Sequence, residues 1–396
     1  MTGLRENLSE ELRNDVLRRW RECRQAAALR GCDGLLVIGR ADRPGDLLYL
    51  AGHRPGMAGH VTRGRLRGRG YGALWLPMAG APVLVATTAF YEGGWTDNVR
   101  IGTDFPETMS NTLREARADH ATVGLVGDDV LSVLLHREMG QLLPLVRWIA
   151  CDDLVAGIRS QKSAYEIACL RTGSAMADRV GIRLREFLRP GVREREAAAF
   201  VCGELLREGA EAAHATCQSG IARSAEPVAY PVASDRVLQA GDMVHMEING
   251  RARGYLIDIC RSTVIGTPSV AQRTLLRTCL TLLEESIAAI RPGMPAATLG
   301  EVAAGVATRE GLGAHFTIDC GGPGTYLGHG IGVATDEPPI LGLGDPTPLL
   351  PGMVLTIEPG LYRLPVGGCR IEDEVLVTDS GCEVLTRLDR AWWGGP

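Results

Sequence analysis

Apolar and polar positions alternate along residues 243–266, MVHMEINGRARGYLIDICRSTVIG, in two runs separated by the polar stretch RARG at 251–254. A period of two predicts two strands joined by a turn. His245, Glu247 and Asn249 then share one face. A turn centred between Ala252 and Arg253 sets Glu247 opposite Asp258 and His245 opposite Cys260, with opposed β-carbons about 4.5–5.5 Å apart. Two carboxylates that close repel unless a proton or a cation lies between them. Divalent cations are the usual partner, because hard metals prefer carboxylate oxygen. An acidic hairpin facing water is the other reading of this stretch taken alone.

The same patterning divides the rest of the chain. Residues 9–31 read as an amphipathic helix, with Leu12, Val16 and Trp20 on one stripe and Gly31 at its end. DGLLVIG (33–39) and DLLYLAG (46–52) read as short buried strands, and 73–77 and 82–88 as a hairpin around MAGA. A helix near 107–118, a strand at 121–127, a helix at 130–144 and a strand at 147–151 complete an α/β half. Beyond 152–162 come back-to-back helices over 163–188 and 193–209, the segment HATCQSG (214–220) and the hairpin. Helices at 269–291 and 296–311 and a glycine-rich strand-and-turn region from 316 follow. Helices grouped apart from antiparallel strands predict α+β for this half. The expected domains are 1–156 and 157–396.

Composition narrows the function classes. A chain of 396 residues supports two domains with full cores. A net charge of −5 gives no electrostatic footprint for nucleic acid or an anionic membrane. No apolar run approaches the roughly 18–20 residues of a membrane span, and the charged N-terminus is not a signal peptide. A cytoplasmic protein is expected. The 11 cysteines are scattered without a CxxC pair and read as reduced thiols.

Three further segments carry candidate chemistry. In GHGIG (328–332), glycines on both sides leave the His329 imidazole accessible. TIEPG (356–360) and RIEDEV (370–375) each place an acid inside an apolar strand pattern, where a charge is rarely buried without a partner. A turn centred at Pro365 sets Glu358 opposite Glu372. Two hairpins with opposed carboxylates and one glycine-flanked histidine make a five-residue donor set: Glu247, Asp258, His329, Glu358 and Glu372. With two acids bridging, such a set would hold two metals about 3.5–4 Å apart.

The segments LQAGDMVHMEINGRARGYLIDICRST, GHGIG, LLPGMVLTIEPGLY and RIEDEVLV resemble, in order and spacing, those of the pita-bread metallopeptidases: aminopeptidase P, prolidase, methionine aminopeptidase and their non-peptidase relative creatinase. IRSQKSAYEIACLR resembles the helix that opens that domain, and the α/β half resembles the N-terminal domain of creatinase, prolidase and aminopeptidase P. The resemblance implies an α+β pita-bread C-terminal domain with a smaller α/β creatinase-like N-terminal domain. It also implies one or two divalent ions (manganese, cobalt, zinc or iron) and a homodimer. Asp258 and Glu372 match bridging carboxylates, and His329 and Glu358 match terminal ligands of one metal.

Three positions depart from the peptidase pattern. Glu247 stands where the family carries a shorter aspartate on the second metal. Tyr230 stands where the peptidases have a histidine that helps bind the substrate carbonyl; it can donate a hydrogen bond but is a poor base at neutral pH. Asp336 stands where they have another histidine, seven residues after His329. His245 and Cys260 are further candidates, His245 as an extra ligand or proton shuttle and Cys260 as a ligand or nucleophile. The expected catalytic residues are Tyr230, Glu247, His245 and Asp336. The expected function is a metal-dependent hydrolase of a C–N bond in a small nitrogen-containing metabolite, similar to creatinase and ectoine hydrolase. The alternatives are an Xaa-Pro dipeptidase or aminopeptidase acting on short peptides, a lyase, and a non-catalytic binding protein.

Overall fold

The computed structural model describes residues 4–56, 67–87, 93–228, 231–318, 322–323 and 326–393. Two compact units divide the chain, Met1–Arg159 and Ser160–Pro396. Among the described residues no helix is long and apolar enough to cross a membrane.

The first unit is built on strands β1 (Gly34–Arg40), β2 (Tyr71–Pro77), β3 (Val83–Thr87), β4 (Val99–Gly102), β5 (Thr122–Val126) and β6 (Arg147–Ala150), with helices α1 (Glu10–Leu29), α2 (Gly45–Ala51), α3 (Phe105–Glu115), α4 (Val133–Leu142) and α5 (Asp152–Ser160). The sheet order is β4-β3-β2-β1-β5-β6. β1 runs antiparallel to β2 and parallel to β5. Its core gathers Leu36, Ile38, Trp75, Phe105, Met109 and Leu125. The Ser9 hydroxyl starts α1 by accepting the Leu12 N–H, as N-cap residues do.

The run DLLYLAG, read above as a strand, is helix α2, closed by Gly52 at φ 61°. Residues 47–51 are all buried, and a wholly buried segment lacks the periodicity that separates helix from strand. Tertiary contacts hold it: Arg19 donates to the Tyr49 carbonyl at 2.7 Å and the Trp20 indole to the Leu50 carbonyl at 2.8 Å.

The second unit carries α6 (Ala164–Phe187), α7 (Glu194–Arg207), α8 (Ile221–Ser224), α9 (Val270–Ala289) and α10 (Ala297–Arg309). Strands β7 (Ala212–Ser219), β8 (Met243–Ala252) and β9 (Tyr255–Val264) form one antiparallel sheet. After the two-residue strands β10 (Thr317–Ile318) and β11 (Gly322–Pro323) come β12 (Tyr326–Gly330), β13 (Glu337–Gly342), β14 (Val354–Ile357), β15 (Gly360–Leu364), β16 (Gly367–Arg370), β17 (Asp373–Thr378) and β18 (Gly381–Val384). Five of these form a sheet in the order β13-β12-β14-β17-β18, and β15 pairs with β16. Capping boxes at Ser163/Glu166 and Ser269/Gln272 start α6 and α9. Two apolar clusters result. One packs α6 and α7 on β7–β9 through Val180, Leu184, Val201, Ile248 and Ile259. The other packs α9 and α10 on the strands after β11 through Leu276, Leu283, Leu299, Leu355 and Val375.

The β8–β9 register corrects the expectation. The turn lies at Arg253–Gly254, both with positive φ (52° and 86°), which suits a two-residue hairpin turn because its twist matches that of the strands. Ala252 therefore pairs with Tyr255, Asn249 with Asp258, Glu247 with Cys260 and His245 with Ser262. The sequence RARG offers glycine alone as a turn signal, and an arginine at positive φ is uncommon. In the second hairpin Ile357 pairs with Asp373 and Gly360 with Arg370, which keeps Glu358 level with Glu372; the turn itself is Pro365–Val366, and a register shift between Leu361 and Leu364 restores the pairing expected for a turn centred at Pro365.

Arg261, fully buried, ties β9 to the chain after it. It donates to the Cys260, Leu388 and Asp389 carbonyls at 2.9, 2.9 and 3.1 Å, to the Glu372 carbonyl, and to Asp373 Oδ1 at 2.8 Å. Without Arg261, Asp373 keeps Arg390 at 2.6 Å, but four carbonyls lose this donor, and a buried acceptor left unsatisfied costs about 1–3 kcal/mol. Arg261→Met is expected to lower the free energy of unfolding by about 3 kcal/mol in urea denaturation; a midpoint within error of the wild type would contradict this role.

Candidate metal centre

His329 sits on β12 between two glycines. A side chain at Gly328 would meet the Thr356 carbonyl oxygen at 2.1 Å, so the close approach of β12 to β14 requires glycine there. The His329 Nδ1–H donates to the Gly330 carbonyl at 2.9 Å. That bond fixes the tautomer and leaves the Nε2 lone pair facing the acids. Nε2 lies 3.8 Å from Asp258 Oδ2, 3.5 Å from Glu358 Oε1 and 3.4 Å from Asp336 Oδ1. Ligand atoms of Asp258, His329 and Glu372 all lie within 4.8 Å of one another, and all three residues are buried.

A network behind these residues holds them in place. The Asp258 N–H donates to Glu374 Oε1 at 3.0 Å, and the other Glu374 oxygen accepts from the Ser174 hydroxyl on α6. The Glu372 N–H donates to the Cys260 carbonyl at 3.0 Å, and the Glu358 N–H to the Leu327 carbonyl at 2.8 Å. The Tyr326 hydroxyl donates to Glu358 Oε1 at 3.1 Å.

Such a cluster is electrostatically costly by itself. Burial, and then neighbouring carboxylates, push both carboxyls well above the usual carboxylate range: Glu247, Glu358 and Glu374 act on Asp258, and Asp258, Glu358 and Glu247 on Glu372. Burial raises Glu358 against the opposing pull of His329 and Arg370. Glu372 Oε2 has no hydrogen-bond partner. Clustered carboxylate oxygens with one imidazole and an orphaned acceptor suit a divalent cation. Asp258, His329, Glu372 and the adjacent Glu358 therefore fit the metal that the sequence implies.

The remaining candidates lie differently. Glu247 is buried and forms an ion pair with Arg370, itself buried. The other Arg370 nitrogen is 3.9 Å from Glu358 Oε2. Arg370 was missed in the sequence, although the alternation in RIE places it on the face of Glu372. Glu374 and Ser174 were missed as well. Asp336 is 60% exposed at φ 53°. The Cys260 thiol donates to the Arg370 carbonyl at 3.7 Å, and burial raises its pKa. Tyr230 lies outside the described residues. His245 is fully buried, and neither ring nitrogen has a hydrogen-bond partner. Burial, then the charges of Arg370 and Arg223, push it down to about 3.

Comparison with known proteins agrees with this geometry. The pattern of metallopeptidase family M24 matches residues 168–379. The chain belongs to metallopeptidase family M24. That places it in a class of metal-dependent hydrolases with the pita-bread fold. Over 240 residues it is 35% identical to the Xaa-Pro dipeptidase of Pyrococcus furiosus, a stretch that covers 60% of this chain and 66% of that protein. Over 373 residues, 90% of each chain, it is 32% identical to the probable dipeptidase PepE of Mycobacterium bovis. The solved prolidase of Pyrococcus furiosus superposes with a TM-score of 0.77 at 28% identity, covering 93% of this chain and all of that one. The names of these relatives are those of peptidases.

The neutral His245 has a pH signature. An unfolded histidine takes up its proton near pH 6.5, whereas the folded one does so only near 3. The stability that depends on the neutral ring is complete above about pH 6.5 and is lost as pH falls toward 3. At pH 5 the loss is about 2 kcal/mol. The drop in unfolding free energy between pH 7.5 and 5 is expected to be smaller by about that amount in His245→Gln; an identical drop in both proteins would contradict it.

Proposed function

We propose that the protein is a metal-dependent dipeptidase of the Xaa-Pro type, acting on short peptides, with a divalent cation that Asp258, His329, Glu358 and Glu372 would hold. The observation that carries this reading is the buried convergence of Asp258, His329 and Glu372. When bound, a divalent cation supplies Lewis acidity and eases the deprotonation of water near neutral pH. The residues do the rest. The Gly330 carbonyl, accepting from Nδ1, fixes the orientation of the His329 ring. Glu358, steadied by the Tyr326 hydroxyl, takes the proton of the attacking water and returns it to the departing nitrogen. Asp336, exposed and 3.4 Å from the His329 ring, meets the ammonium group of the peptide N-terminus, where a carboxylate serves better than the histidine of the peptidase pattern. Tyr230 donates a hydrogen bond to the substrate carbonyl. A homodimer, as the resemblance implies, and a cytoplasmic location belong to the same proposal.

Hydrolysis of Ala-Pro in the presence of manganese or cobalt, compared with creatine, is the test. Turnover of the dipeptide is expected, with a loss of at least about a hundredfold in His329→Ala, the scale on which metal-site changes act. Turnover of creatine with none of any Xaa-Pro peptide would contradict the proposal.

A further inference from the structure

We propose that each chain holds a single tightly bound divalent ion, with the Arg370 guanidinium supplying the positive charge that a second ion would bring. The inference rests on the metal site proposed above and concerns the half of it around Glu247.

The β8–β9 register decides which group faces Asp258. It is Asn249, not Glu247, and its amide donates to Asp258 Oδ1. That contact places a neutral donor beside the carboxylate where a second ion would need another acid. Glu247 lies two rungs farther along the ladder, opposite Cys260, and so about 6.8 Å along the strand from the level of Asn249. There it meets Arg370 in a buried, hydrogen-bonded ion pair. The same guanidinium reaches to 3.9 Å from Glu358. It therefore lies between Glu247 and Glu358, beside the one carboxylate that only a second ion would use.

Arg370 is also fixed from behind. Its N–H donates to Ser262 Oγ at 3.0 Å, and the Ser262 hydroxyl donates to its carbonyl at 2.8 Å. β15 pairs with it on its other side through Gly360. A second cation near Glu247 would meet a full positive charge, in hydrogen-bond contact with its own ligand, on a strand with little room to withdraw. Among the described residues the group that converges within 4.8 Å at this centre is Asp258, His329 and Glu372; Glu247 lies outside it, as does Glu358. The Cys260 thiol is turned to the Arg370 carbonyl. The longer glutamate side chain at 247 thus serves as the counter-ion of Arg370. An arginine paired with a carboxylate gives a fixed, planar charge that a metal-free state also keeps.

The test is titration of metal-free protein with manganese by calorimetry, with metal analysis after desalting and electron paramagnetic resonance of the loaded protein. One tight equivalent and the uncoupled six-line signal of isolated Mn²⁺ are expected. Glu247→Gln is expected to keep that one equivalent. Arg370→Gln, which frees the Glu247 charge, is expected to gain a second equivalent. Two tight equivalents with a spin-coupled signal in the wild type, or loss of an equivalent in Glu247→Gln, would overturn the inference while leaving the peptidase reading intact. An Arg370→Gln protein that folds and still binds one equivalent would refute the part given to Arg370. No bound manganese in the wild type would overturn both readings together.

Discussion

Three carboxylates cannot share a buried space while charged unless something positive joins them. Asp258, Glu358 and Glu372 are gathered in this way around His329, each with its pKa raised by burial. The second unit supplies what this constraint demands. Two hairpins deliver acids from opposite directions, glycines at 328 and 330 let β12 approach β14 and β13 closely, and a buried set of Arg261, Glu374 and Ser174 holds the backbone behind the acids. The fold does not stabilise the cluster by packing alone. It fixes a geometry whose charge is completed on one side by a cation site and on the other by Arg370.

That asymmetry connects the chain to its family and separates it from the family's pattern. The acids and histidine of one metal position are kept, and the M24 pattern extends across residues 168–379. Beside them Glu247 pairs with Arg370, and the Asn249 amide donates to Asp258.

Much of this was legible before the fold was known. Period-two runs located β8 and β9, the helix pair over 163–209 appeared as α6 and α7, and the turn at Pro365 gave the level of Glu358 and Glu372. The failures have physical causes. DLLYLAG is buried all round and carries no period, so its helical state depends on Arg19 and Trp20 from α1. The register of β8 and β9 hinged on an arginine in a left-handed conformation, which no residue preference announces. Arg370 was passed over because an arginine in an apolar strand suggests an edge or a surface, whereas here a buried glutamate neutralises it. Strand β4 has half-exposed and exposed positions only, so its sequence lacked an apolar signal.

The central claim is that the buried acids are organised around one cation position and that Glu247 belongs to Arg370. Crystals grown with manganese and measured at its absorption edge would locate the ions directly. The account predicts one anomalous peak within ligand distance of Asp258, His329 and Glu372, with the Glu247–Arg370 pair intact beside it. A second peak of comparable height bound by Glu247, with Arg370 displaced, would contradict it.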